Sequence, residues 1–184
     1  MGAQASAGVL EREEASAFAA VTSLDDAYRR FAPYVAAIAV RILGRSDELD
    51  DLVQDVFVEA TRGIATLTDP RAIKGWLARI AVRVAVRRLR RKRLLRALFL
   101  SVDDALDYEA LAAPGATPEQ RAMVARVYRA LDGLPAAERV AWVLRHVHGA
   151  TLDEAAALCA CSLSTYQRRL SRASAHLSLE LPDE

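Results

Sequence analysis

The chain has 184 residues, 53% of them hydrophobic, with 25 Lys+Arg against 24 Asp+Glu. That length allows one domain or two small ones, and the apolar content can fill their cores. No apolar run reaches the length of a membrane span, the N-terminus lacks the basic and apolar regions of a secretory signal, and two cysteines make no disulfide framework. Alanine-, leucine- and valine-rich sequence with few aromatics favours helices, and no alternating strand run stands out, so the predicted fold class is all-α.

Residues 1–23 are rich in Ala, Ser and Glu without strong periodicity and predict an N-terminal tail or frayed helix. MGAQAS fits the myristoylation pattern at Gly2, a pattern short enough to occur often by chance. A helical pattern starts at Leu24 and continues through Tyr28, Phe31, Tyr34, Val35, Ile38 and Ile42, with a kink or restart expected at Pro33 and a stop at Gly44. A second helix is predicted from about Ser46 to Arg62. Its core stripe is Leu49, Leu52, Val53, Val56, Phe57 and Ala60, and Asp51, Gln54, Asp55 and Val58 form a second, mixed stripe. On an isolated helix such a stripe simply faces solvent. The functional alternative is a docking face for a basic protein partner.

After a loop over Thr66–Lys74, with an Asp-Pro turn at Asp69–Pro70, comes the run KGWLARIAVRVAVRRLRRKRLLR at Lys74–Arg96. It contains no acid. Arg79, Arg83, Arg87 and Arg90 recur at helical spacing, and Trp76, Leu77, Ile80, Ala81 and Val84 are expected on the opposite side. A merely solvated helix would interleave signs; a comb of guanidinium groups suits a polyanion. The near-zero net charge therefore hides segregation. Asp47, Glu48, Asp50, Asp51, Asp55 and Glu59 precede the basic helix, and Asp103, Asp104, Asp107, Glu109 and Glu119 follow it in a stretch, 97–120, without Lys or Arg. That stretch also carries Pro114, Gly115 and Pro118 and reads as an inter-domain linker. It divides the chain into a tail at 1–23, a first domain at 24–96, the linker at 97–120 and a second domain at 121–184.

The second domain opens with a helix marked by Met123, Val127 and Leu131, then one carrying Val140, Val143, Leu144 and Val147 inward and ending before Gly149. Thr151-Leu-Asp-Glu154 is a capping box before a short alanine-rich helix. Ser162 can cap a further helix with Tyr166 and Leu170 inward and Thr165, Arg168, Arg169 and Arg172 largely outward. Residues 151–172 thus look like a helix-turn-helix, whose second helix can reach phosphates and base edges. His146, His148, Cys159 and Cys161 spell HxH then CxC, but residues two apart on a helix point to different faces, so the cysteines read as small hydrophobes and no metal set is assigned.

Three segments together resemble the sigma-70 family of bacterial RNA polymerase sigma factors, in its extracytoplasmic-function group. LDDLVQDVFVEATRG is similar to the core-polymerase-binding helix, IKGWLARIAVRVAVRRLRRKR to the helix facing the −10 promoter element, and LPAAERVAWVLRHVHGATLDEAAALCACSLSTYQRRLSRASAHL to the domain that binds the −35 element. The resemblance covers roughly residues 24–180. It implies that Asp51, Gln54, Asp55 and Val58 dock on the β′ clamp helices, with the β flap as a further polymerase contact. It implies that the Thr66–Lys74 loop stands where a flipped promoter base is captured. Lys74, Arg79, Arg83, Arg87 and Arg90 would meet −10 DNA, and Ser164, Thr165, Gln167, Arg168, Arg169 and Arg172 the −35 groove and its phosphates. The acidic linker would thread through the polymerase near the template strand. An anti-sigma factor is an implied partner, the cytoplasm the implied location, and no catalysis, cofactor or membrane insertion is implied.

Some positions depart from the family pattern. Val82, Arg83 and Arg87 stand where an I-A-R-N continuation and a later Asp are usual, which shifts the expectation from base readout toward phosphate attraction. Ala160 stands at a usual turn glycine and Gln167 at a usual lysine. On the residues alone, a helix-turn-helix regulator and a sigma-like protein acting mainly through protein–protein binding remain as alternatives. The first would need no docking stripe at Asp51, Gln54 and Asp55.

Overall fold

The computed structural model describes residues 24–44, 48–64, 67, 69–98 and 107–181. The expected tail at 1–23, Gly2 included, lies outside them, as do Ser46, Asp47, Thr66, Asp103 and Asp104. Every regular element among the described residues is helical. Helix α1, Leu24–Leu43, buries Phe31, Val35, Ile38 and Ile42 as their spacing predicts. Pro33 lies inside α1, which runs on through it, so the helix does not restart there. Its ring sits on the exposed side, where water can satisfy the carbonyl that loses its partner, while the opposite face is pinned in the core.

Helix α2, Leu49–Thr61, buries Leu52, Val53, Val56, Phe57 and Ala60. A 3-10 turn, Pro70–Ala72, leads into α3, Ile73–Ala97, so Lys74 belongs to the first turn of the helix and not to a loop. Helices α1, α2 and α3 pack pairwise into a three-helix bundle.

The second unit contains α4, Pro118–Asp132; α5, Ala136–His146; α6, Leu152–Leu158; and α7, Leu163–Glu180. Helix α4 starts within the segment read as linker, fixed by a capping box between Thr117 and Gln120. Its inward face also differs from expectation. Met123 is exposed, while Ala125, Tyr128 and Leu131 are buried. Tyr128 sets this rotation by donating its hydroxyl to the Arg41 carbonyl at 2.8 Å. Val147, expected inward, also reaches the surface.

The two units share one hydrophobic cluster. Helix α5 packs on α1 and α3, and α6 packs on α3. At the junction, Arg139 of α5 is fully buried, donating to the Ile42 carbonyl at 2.8 Å and the Leu43 carbonyl at 2.7 Å. These are orphan acceptors at the C-terminus of α1, where a cation also complements the helix dipole. Asp132 bonds both Arg139 and the Tyr108 hydroxyl. Tyr108, from the acidic stretch, is buried and stacks on Tyr128 with ring centroids 5.6 Å apart, so this part of the stretch is docked on the protein. Gly44 makes the junction possible. It sits at φ +71, and a Cβ there would lie 2.6 Å from Tyr128 Cδ1 and 2.9 Å from Arg139 Nη2.

Candidate nucleic-acid and polymerase interfaces

On α2, Asp51, Gln54, Asp55 and Val58 lie off the core stripe, and all four are exposed. Val58, at 55% exposure, is an apolar side chain amid acids and has no core to fill. One member of the stripe is engaged from within. Arg88 of α3 reaches Asp55 at 2.6 Å and Glu48 at 3.3 Å and is itself largely buried. Sequence spacing does not point to Arg88, because which arginine meets α2 depends on how the two helices cross.

On α3, Lys74, Arg79, Arg83, Arg87 and Arg90 are exposed, and Leu77, Ile80, Ala81 and Val84 are buried. Two corrections apply. Trp76 is half-buried and lines the same cleft as Arg79, not the opposite side. A residue three before Arg79 is one helical turn away on the same face. Its indole packs over Gly63, where a Cβ would lie 2.9 Å from the ring. In addition Ala78, Val82 and Ala85 are buried, because α5 and α6 cover another flank of α3. The comb is therefore a narrow strip between two packed flanks. Val82 serves packing, which accounts for an apolar residue at that position.

The comb is not uniformly free. Glu59 of α2 accepts from Arg83 at 2.6 Å and from Arg87 at 2.5 Å. Burial alone would push the Glu59 carboxyl up, but the two guanidinium groups outweigh it and hold it below the ordinary carboxylate range. Lys74 instead sits over the Tyr34 ring, 5.1 Å from its centroid.

In the second unit both caps form as read. The Thr151 hydroxyl accepts from the Glu154 N–H while the Glu154 carboxylate accepts from the Thr151 N–H at 2.8 Å, and Ser162 caps Thr165. Tyr166 is buried and donates to the Ala141 carbonyl at 2.7 Å, fixing the rotation of α7. Ser164, Gln167, Arg168 and Arg172 are then exposed, and Thr165 and Arg169 half-buried. Arg169 turns toward the cleft that the α3 comb also lines, and Arg172 lies 3.8 Å from Glu138.

The HxH and CxC residues do not converge. His146 packs on Trp142, and His148 bonds Arg41 at 3.0 Å. Cys159 and Cys161 pack against the core, and burial pushes the Cys159 thiol up to about 12. Among the described residues no cluster of three or more His, Cys, Asp or Glu side chains could hold a metal, and no helix is long and apolar enough to cross a membrane.

A three-helix unit with an exposed arginine strip is joined to a helix-turn-helix unit, an arrangement that suits nucleic acid as a partner. Residues 27–94 match the family Sigma-70 region 2, and residues 125–177 match Sigma-70, region 4. The ECF RNA polymerase sigma factor SigE of Mycolicibacterium smegmatis is 30% identical over 84% of this chain, which spans 60% of that protein. The ECF RNA polymerase sigma factor EcfG of Rhodopseudomonas palustris is 31% identical over 85% of this chain and 83% of its own length. The sigma factor CnrH of Cupriavidus metallidurans is 31% identical over 90% of this chain and 94% of its own. A solved structure of CnrH in complex with the cytosolic domain of CnrY superimposes with a TM-score of 0.54 at 28% identity, covering 86% of each chain. The chain belongs to the extracytoplasmic-function group of the sigma-70 family, the non-enzymatic factors that give bacterial RNA polymerase its promoter specificity.

Proposed function

We propose that the two units divide the work of promoter recognition by residue as follows. Asp51, Gln54, Asp55 and Val58 dock on the β′ clamp helices of core polymerase. The α3 strip of Lys74, Arg79, Arg83, Arg87 and Arg90 meets DNA at the −10 element. Ser164, Thr165, Gln167, Arg168, Arg169 and Arg172 serve the −35 element, with Arg169 positioned at the inner edge of that surface. The domain limits that accompany these roles are 24–96 and 121–184, joined by 97–120, with the second limit moved back to take in α4 from Pro118, and the cellular compartment is the cytoplasm. A CnrY-like anti-sigma protein is a fitting partner, since the similar CnrH is captured with one.

The observation that carries this reading is the coexistence of two exposed strips of opposite character on adjacent helices, acidic with Val58 on α2 and arginine-rich on α3. A DNA-binding regulator needs only the second. The first supplies charge complementarity for a basic protein groove.

The test is co-purification with core polymerase followed by run-off transcription. Asp51→Arg with Val58→Asp leaves the Arg88 pairs intact and should abolish both signals while circular dichroism stays helical. Retained co-purification would remove the docking role. A protein that shifts promoter DNA without any polymerase, and never binds polymerase, would favour a stand-alone regulator.

A further inference from the structure

The segregated charges of the sequence meet again in space, and Glu59 is where they meet. Each of its carboxylate oxygens takes a different arginine. Oε2 accepts from Arg83 Nη2 at 2.6 Å and Nε at 3.2 Å, and Oε1 accepts from Arg87 Nη2 at 2.5 Å. Two oxygens of one anion bridging two guanidinium groups is also how a backbone phosphate engages an arginine pair. The cleft beside them is lined by Arg62, Arg79, Arg90 and Arg169 as well, and Glu59 is the sole acid among its described lining residues.

The neighbouring pair on α3 shows what a purely structural bridge looks like. Arg88, held by Glu48 and Asp55, keeps only 20% of its side chain exposed. Arg83 and Arg87 keep 63% and 59%, while Glu59 keeps 19%. Their guanidinium groups stand at the surface with the carboxylate behind them, so an incoming anion can reach both.

We propose that Glu59 is a built-in phosphate surrogate that occupies Arg83 and Arg87 until the DNA backbone displaces it, lowering non-specific attraction to DNA. This rests on the reading that the α3 strip meets DNA. Non-specific affinity grows with the number of cations a protein offers to phosphates. Glu59 makes two of them available only where the backbone offers a better geometry than the carboxylate does. The cost of displacement is small, because exposed ion pairs are weak.

Binding of the full chain to a short mixed-sequence duplex, followed by fluorescence anisotropy at low salt, tests this. Glu59→Gln should bind roughly three- to tenfold tighter than wild type, as expected for releasing two exposed pairs. In an Arg83→Ala, Arg87→Ala background the same change should add nothing. An unchanged affinity for Glu59→Gln, or an equal gain in the alanine background, overturns the inference; the latter would mean simple charge repulsion. Arg79→Ala with Arg90→Ala, which have no ion pair among the described residues, tests the underlying reading separately. If that pair of changes weakens binding while Glu59→Gln is neutral, the strip stands and the surrogate falls. If it has no effect, the strip itself is not a DNA contact and the surrogate falls with it. Unfolding curves for each variant confirm that the fold is kept.

Discussion

Ala160 holds a backbone conformation that costs a side chain something. It lies at φ +49 in the turn between α6 and α7, where an L residue with a Cβ is crowded against the following carbonyl. The turn needs that conformation because α7 must start at Ser162, whose hydroxyl caps Thr165. Ala160→Gly should relieve the strain and stabilise the protein by about 1 kcal/mol. In a thermal melt that is a rise of about 2–4 °C for a chain of this size. No rise would mean that the added freedom of the unfolded chain cancels the relief. At the same scale, Arg168 and Arg172 should differ. Arg168 is exposed, carries no ion pair among the described residues and lies opposite the buried Tyr166, where a bidentate contact to guanine is possible. Arg168→Ala should cost about 1–3 kcal/mol on a preferred −35 site and relax one base pair. Arg172 has Glu138 at 3.8 Å and sits a turn later, so Arg172→Ala should weaken all sequences alike. Selection from randomised −35 DNA distinguishes them. If neither variant relaxes a position, readout lies with Thr165 or Gln167.

Among the elements, the short α6 depends most on its cap. Its seven residues, Leu152–Leu158, are too few to hold a helix by propensity alone. Thr151 and Glu154 satisfy each other's backbone N–H, and Ala155 and Ala156 bury against neighbours. Thr151→Ala should destabilise the protein by about 1 kcal/mol and weaken −35 binding by loosening the platform beneath α7. Hydrogen exchange at Ala155 and Ala156 should accelerate; unchanged protection would show that packing alone holds the helix. Helix α3 is the opposite case. At 25 residues it is packed by α1 and α2, and again by α5 and α6, so that along its middle turns Arg79, Arg83, Arg87 and Arg90 stand exposed between buried flanks.

At the scale of the molecule, the relation between the two units turns on Arg139. Removing the central partner of a buried charged network leaves groups unsatisfied, here the Ile42 and Leu43 carbonyls, and takes from Asp132 one of its partners. Arg139→Met should lower the unfolding free energy by about 3 kcal/mol and let the units separate. Urea denaturation gives the first, and an increased radius of gyration in small-angle scattering the second. Unaltered stability and size would show that the apolar contact of α5 with α1 and α3 suffices. Because Tyr108 bonds the same Asp132, the acidic segment and the junction are coupled, and Tyr108→Phe should show a weaker form of both effects.

The sequence by itself determined what depends on local spacing. Apolar residues three and four apart placed the helices. Thr151, Glu154 and Ser162 marked their starts, and the motifs around Asp51–Val58 and Trp76–Ile80 carried the family resemblance, since these signals are written within one or two turns of chain. Only the tertiary structure decided which charges neutralise which. Glu59 with Arg83 and Arg87, Arg88 with Asp55, and Arg139 with the end of α1 join residues 24 to 97 positions apart. The same holds for Val82 and Met123, whose burial and exposure follow from which flank a distant helix covers. Helical periodicity tells a side chain's angle around its own axis, but only packing tells what stands opposite that angle.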